Sequence, residues 1–200
     1  MPDIQDYLRE VAQLFAEMDG AYEAMAQRLG FVCHGCQDNC CRSLFFHHTL
    51  VEFFWLHAGL AELDHAQRDG IHSRAVAVAA FEVTGHPAED KRRPMCPLNN
   101  DERCMLYAYR PMICRLHGIP HELRPPNGRN QVGPGCDAYY QLMDRPDPKA
   151  FRLDRTPWYK ALAELEQRLR GLMGFNAKIK MTIAQMILQE PQDIEISYRG

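Results

Sequence analysis

The sequence predicts a mainly α protein, and three observations carry that expectation. Both end segments repeat apolar residues at three- and four-residue spacing, a central apolar run follows a helix-capping pair, and no stretch alternates as a strand would. The 200 residues are expected to form one domain, residues 1–200, because a chain of this length can bury roughly 70% of its unfolded surface around a single core.

The first helix is expected over residues 3–29. Ile4, Tyr7, Leu8, Val11, Leu14, Phe15, Met18, Tyr22 and Met25 fall on one face of it. Gly20 lies within this pattern at a cost of about 1 kcal/mol relative to Ala, so it marks the place for a break, and Gly30 closes the helix. A second helix starts behind Thr49, whose pairing with Glu52 has the form of a capping box. Its body, Leu50-Val51-Glu52-Phe53-Phe54-Trp55-Leu56, is apolar nearly all round and suits the centre of the core. His47 and His48, just ahead of the cap, are expected at the surface. A third helix is expected from Leu63 to Val83, with Gly70 as a candidate interruption.

From Gly85 to Pro148 the texture changes to a Pro- and Gly-rich stretch punctuated by Pro87, Pro94, Pro97, Pro111, Pro120, Pro125, Pro126 and Pro134. So long an irregular segment needs something besides a core to order it. Helix returns over residues 156–190: Thr156 caps, Pro157 takes the first helical position, and Trp158, Leu162, Leu165 and Leu169 form the buried stripe. After Gly174 a last helix carries Ile179, Ile183, Met186 and Ile187 and ends near Pro191. There is no internal repeat.

Composition narrows the partners. With a net charge of −3, no basic field recruits nucleic acid, and Lys91-Arg92-Arg93 suits a solvated turn. The longest apolar run, Leu50 to Leu60, is broken by Glu52 and His57 and falls short of the roughly 18 residues of a membrane span. Met1 to Asp6 lack the basic start and apolar run of a signal peptide, so a cytoplasmic location is expected. In a reducing compartment, eight cysteines serve metal or catalysis more readily than disulfides.

The first four cysteines are local: Cys33-His34-Gly35-Cys36-Gln37-Asp38-Asn39-Cys40-Cys41. A C-x2-C pair on a tight turn can bring two sulfurs to one metal at about 2.3 Å, and Gly35, Asp38 and Asn39 suit the bends. Adjacent side chains diverge, so Cys40 and Cys41 suit two metal ions or two corners of one cluster. The other four, Cys96, Cys104, Cys114 and Cys136, are separated by seven, nine and twenty-one residues. That spacing is not a zinc ribbon, and the first cluster is neither the bacterial ferredoxin run nor the order found in radical S-adenosylmethionine enzymes. The fold must gather the second cluster. The expected architecture is therefore helices surrounding a long irregular metal-organised loop region, residues 33–140, with all eight cysteines as metal ligands.

Cys33-x2-Cys36-x3-Cys40-Cys41, Cys96-Pro97-Leu98, Cys104-x2-Tyr107-x2-Arg110-Pro111-x2-Cys114-Arg115 and Cys136 together resemble the bacterial CxxCxxCC cysteine-cluster family. That family is described as a zinc- or iron-chelating domain with eight characteristic cysteines, and each has a counterpart here. One departure is that three residues, not two, separate Cys36 from Cys40. Flagellin lysine N-methylases carry a related cysteine pattern, and that kinship points toward an iron–sulfur cluster.

Thiolates suit iron and zinc alike. Two zinc ions on eight thiolates would leave a charge of about −4, which Arg110 and Arg115 on either side of Cys114 are placed to offset. His34, His117 and His121 lie near cysteines but read as hydrogen-bonding or surface groups, since eight thiols need no histidine ligand. Phe53-Phe54-Trp55 reads as core, and Tyr107, Tyr109, Tyr139 and Tyr140 as a shield around the sulfurs. No G-x-S-x-G, P-loop, G-x-G-x-x-G or H-E-x-x-H motif occurs. The expected function is a metal-binding protein with an iron (iron–sulfur) or zinc centre in a structural or redox role. The alternatives are a metal-dependent enzyme acting on a protein or small molecule, and a zinc-organised interaction module.

Overall fold

A computed structural model describes residues 4–33, 40–84, 93–126, 128–142 and 151–196. Cys36, His34, Lys91 and Arg92 lie outside the described residues, and of Cys40 only the backbone is described.

The protein is mainly α, as the periodicities imply. Helix α1 (Ile4–Arg28) runs unbroken through Gly20, where the surface is open. Val11, Leu14, Phe15 and Met18 on the buried face hold both halves in line, which outweighs the glycine's conformational cost. The helix stops at Gly30, whose φ of +66° is the left-handed conformation that favours glycine, and the Phe31 amide turns back to donate to Ala26 O at 2.8 Å. Helix α2 (Leu50–Ala61) is the central element: Leu50, Val51, Phe53, Phe54, Leu56 and Leu60 are buried in it. Phe53-Phe54-Trp55 is core, with Trp55 packed edge-on against Phe15 of α1.

Helix α3 (His65–Thr84) starts later than Leu63 because Asp64 and Gln67 cap it reciprocally, and Gly70 does not interrupt it. The Pro-rich stretch is not structureless. It contains the hairpin β1 (Asn99–Asn100) and β2 (Arg103–Cys104), the four-residue helix α4 (Met112–Arg115), and the strands β3 (His121–Leu123) and β4 (Gln131–Gly133). Helix α5 (Asp137–Leu142) and strand β5 (Leu153–Asp154) follow. β3 lies between β4, antiparallel to it, and β5, parallel to it. Strands of two or three residues are too short to show alternation, so the sequence carried no sign of them. At the tip of the first hairpin Asp101 and Glu102 both take positive φ, the primed-turn geometry that suits the twist of paired strands.

Helix α6 (Thr156–Met173) carries the expected stripe of Leu162, Leu165 and Leu169, though Thr156 is not its cap. Asp154 accepts the Thr156 amide at 2.9 Å, and the Thr156 hydroxyl accepts the Arg124 amide at 2.8 Å. The expected last helix is two short ones, α7 (Ile183–Leu188) and α8 (Pro191–Ile196). Thr182 and Gln185 close a complete capping box there, so Ile179 precedes the helix and Pro191 opens the next one. α1 and α2 pack on each other and on α6, and α3 packs on α7. Among the described residues no helix is long and apolar enough to cross a membrane.

His47 is buried, at 2% exposure, and not at the surface as expected; His48 is exposed. The reason is a two-way backbone pairing of His47 with Met181, at 2.7 and 3.0 Å, which clamps the segment before α2 onto the segment before α7.

Candidate metal centre

Five cysteines line one cavity of about 960 Å3: Cys33, Cys41, Cys96, Cys104 and Cys114. The Cys96 amide donates to Cys41 O at 2.9 Å, joining the residue-41 turn to the hairpin. Cys104 sits on β2 opposite Asn99, while the Asn99 amide donates to Cys96 O and the Met105 amide to Leu98 O. Cys114 enters from α4, which opens behind Pro111 in extended conformation.

The thiols feel one another. Burial first, with Cys41 and Cys104 adding to it, pushes the Cys96 thiol up to about 12. Cys104 is raised by burial and then by Cys41, and Cys114 is raised well up by burial, then by Cys96, Cys104 and Cys41. Arg74 opposes this at Cys96, and Arg110 and Arg115 oppose it at Cys104. The chemical consequence is definite: a desolvated thiol keeps its proton unless a cation takes the proton's place, and a soft metal ion is the cation thiolates select. Thiolates as a donor type suit zinc and iron–sulfur centres alike. Among the described residues, no group of three or more Cys, His, Asp or Glu side chains is placed to hold a metal ion.

The other cysteines divide. Cys33 lines the same cavity and is exposed. Cys136 is half-buried at the start of α5, its amide donating to Gly118 O at 2.9 Å, and it is not among the cavity's lining residues.

The arginines act differently from the sequence expectation. Arg115 is 3% exposed and is a staple for the loop preceding α4: it pairs with Asp19 of α1, donates to Ala108 O and Arg110 O, and lies over the Phe15 ring. Arg110 stacks on Tyr107 and donates to Tyr107 O. Their charges reach Cys104 as a field, while their N–H groups are committed to carbonyls and to Asp19. Asp19 is 96 positions from Arg115, and no local pattern announces the pair. Arg115→Leu is expected to cost about 2 kcal/mol in urea unfolding, because two carbonyls lose their donor while Asp19, partly exposed, recovers solvent. An unchanged midpoint would show that the staple contributes nothing.

The aromatic shield is also redistributed. Tyr107 lines the cavity but is 64% exposed. Tyr109 packs against Trp55 and over Gly59, where any side chain would overlap its ring. Tyr139 and Tyr140 are not among the cavity's lining residues; Tyr139 packs in the core against Phe31, and the Tyr140 amide donates to Cys136 O at 3.2 Å. His117 lines the cavity beside Phe45, and burial and then Arg155 lower its pKa. No family model, curated protein or solved structure matches the chain.

Proposed function

We propose that this chain is a metal-binding protein holding a cysteine-thiolate centre, an iron–sulfur cluster or zinc, in a structural or redox role. One observation carries the reading: cysteines at 41, 96, 104 and 114, distant in sequence, line a single cavity, and Cys41 raises the thiol pKa of the other three. A cluster of protonated, half-buried thiols contributes little to a core, whereas replacing their protons by a metal ion turns mutual repulsion into shared attraction. The cysteine pattern shared with the CxxCxxCC family supports the same reading. The centre would draw on Cys41, Cys96, Cys104 and Cys114, with Cys33, Cys36, Cys40 and Cys136 as the remaining candidate ligands.

A second reading, a metal-dependent enzyme, is favoured by the cavity itself. At about 960 Å3 it lies within the range of small-molecule sites, and Phe31, Phe45, Phe81 and Leu98 give it apolar walls.

Elemental analysis and a visible spectrum of anaerobically purified protein test the proposal. Sulfur-to-iron charge-transfer bands in a brown sample identify an iron–sulfur centre, and a colourless sample with stoichiometric zinc identifies the other. Less than one metal per chain would end the metal reading.

A further inference from the structure

Three helices of this protein begin with a pattern in which a capping residue is followed three positions later by Glu or Gln: Asp64 and Gln67, Thr182 and Gln185, Thr49 and Glu52. In the first two the longer side chain turns back and accepts the backbone N–H of the capping residue, at 3.2 and 2.9 Å. At α2 it does not. The Thr49 hydroxyl accepts the Glu52 amide at 3.2 Å and donates to Glu52 Oε2 at 2.7 Å, while Glu52 Oε1 accepts the Met112 amide at 3.0 Å. Met112 opens α4, the helix that carries Cys114.

That redirection has a cost. Glu52 is 5% exposed and has no salt-bridge partner among the described residues, the charge of His48 being the least of the influences on it. A buried carboxyl without a cation is unfavourable unless hydrogen bonds hold it. Burial accordingly raises its pKa, against the pull of Thr49 and Met112. The recipient explains the placement. α4 has four residues, and Pro111 ahead of it offers no side-chain cap, so its first N–H has no acceptor from its own chain neighbourhood. α2 is itself anchored from α6, where Glu166 Oε2 accepts the Val51 amide at 3.1 Å. A line of hydrogen bonds therefore runs from α6 through α2 to the turn that aims Cys114 at the cavity.

We infer that Glu52 is the positioning residue of the Cys114 turn: its carboxyl, reaching across from α2, fixes the backbone from which the Cys114 sulfur enters the cavity. The inference deepens the metal reading and rests on it only in taking Cys114 as a ligand.

The test follows each cysteine separately, by timed iodoacetamide labelling of the full-length protein and peptide mass spectrometry, alongside metal content. Glu52→Leu removes both acceptors, and Cys114 should then alkylate about tenfold faster, the equivalent of one lost buried hydrogen bond, with less metal retained. Labelling is repeated on chelator-treated parent and variants, where no thiol is masked by metal, and there Cys136, outside the cavity, should keep its rate. Glu52→Gln keeps an oxygen for the Met112 amide while losing the acceptor for the Thr49 hydroxyl and the charge that raises the Cys114 thiol pKa, so its Cys114 rate should stay well below that of the Leu variant. Glu52→Asp keeps the acid but shortens its reach, and should resemble Leu; this contrast decides the matter should the Leu variant not fold. Equal acceleration at Cys136, an unchanged Cys114 rate in both Leu and Asp variants, or a Gln variant as reactive as Leu would each overturn the inference. A parent protein without metal would sink the functional proposal alone, because the Cys114-to-Cys136 contrast reads Glu52 with or without metal.

Discussion

On the proposed metal reading, serine at both Cys96 and Cys114 is expected to abolish metal retention and to lower stability by far more than the loss of two thiols alone. Structural thiolate metals contribute on the order of 10 kcal/mol to folding, and a serine hydroxyl neither ionises at neutral pH nor matches a soft metal. Without metal, the same pair of near-isosteric changes at half-buried positions would cost only about 1–3 kcal/mol. The two cases are far enough apart for thermal unfolding to separate them. The parent should lose most of its thermal stability on chelation and converge on the double variant, which should itself ignore the chelator. A parent and a variant equally indifferent to chelation would refute a structural metal.

A second large effect concerns acid. Burial, and then the neighbouring charge of His48, hold the His47 imidazole at about 4, against an ordinary value of 6.5. The folded state therefore binds its proton less readily than the unfolded chain does. Its stabilising contribution is complete above pH 6.5, falls as pH drops through the window from 6.5 to 4, and is lost below it. The span corresponds to about 3 kcal/mol. Urea unfolding at pH 7, 6, 5 and 4 should show the parent losing that much more than His47→Phe, which carries no titrating group. Parallel pH profiles for the two proteins would exclude His47 as the source. His121 is likewise held at about 4 by burial and then by Arg155, but it is only half-buried, and its share is correspondingly smaller.

Helices were readable in the linear sequence where one face repeats often enough to be counted, as in α1 and α6. Their interruptions were not, because Gly20 and Gly70 are outweighed by packing or by continuity on either side. α7 and α8 were fused into one expected helix since the apolar spacing continues across them, whereas a capping box and a proline divide it. The short strands carried no period at all. Glu52 was recognised as half of a cap; that its carboxyl is spent sixty residues away on Met112 depends on where α4 packs.

The sequence by itself determined the mainly α character, the composition of the core, and the inventory of thiols, because each of these is set by residue type and local spacing. Only the tertiary structure decided which thiols share a cavity: Cys33, Cys41, Cys96, Cys104 and Cys114 line it while Cys136 does not. It also decided that Arg115 spends its donors on Asp19 and loop carbonyls, and that His47 is buried. The physical reason is common to all three. A side chain's surroundings are fixed by contacts between segments far apart in the chain, and loop closure brings such segments together without leaving a periodic mark on either.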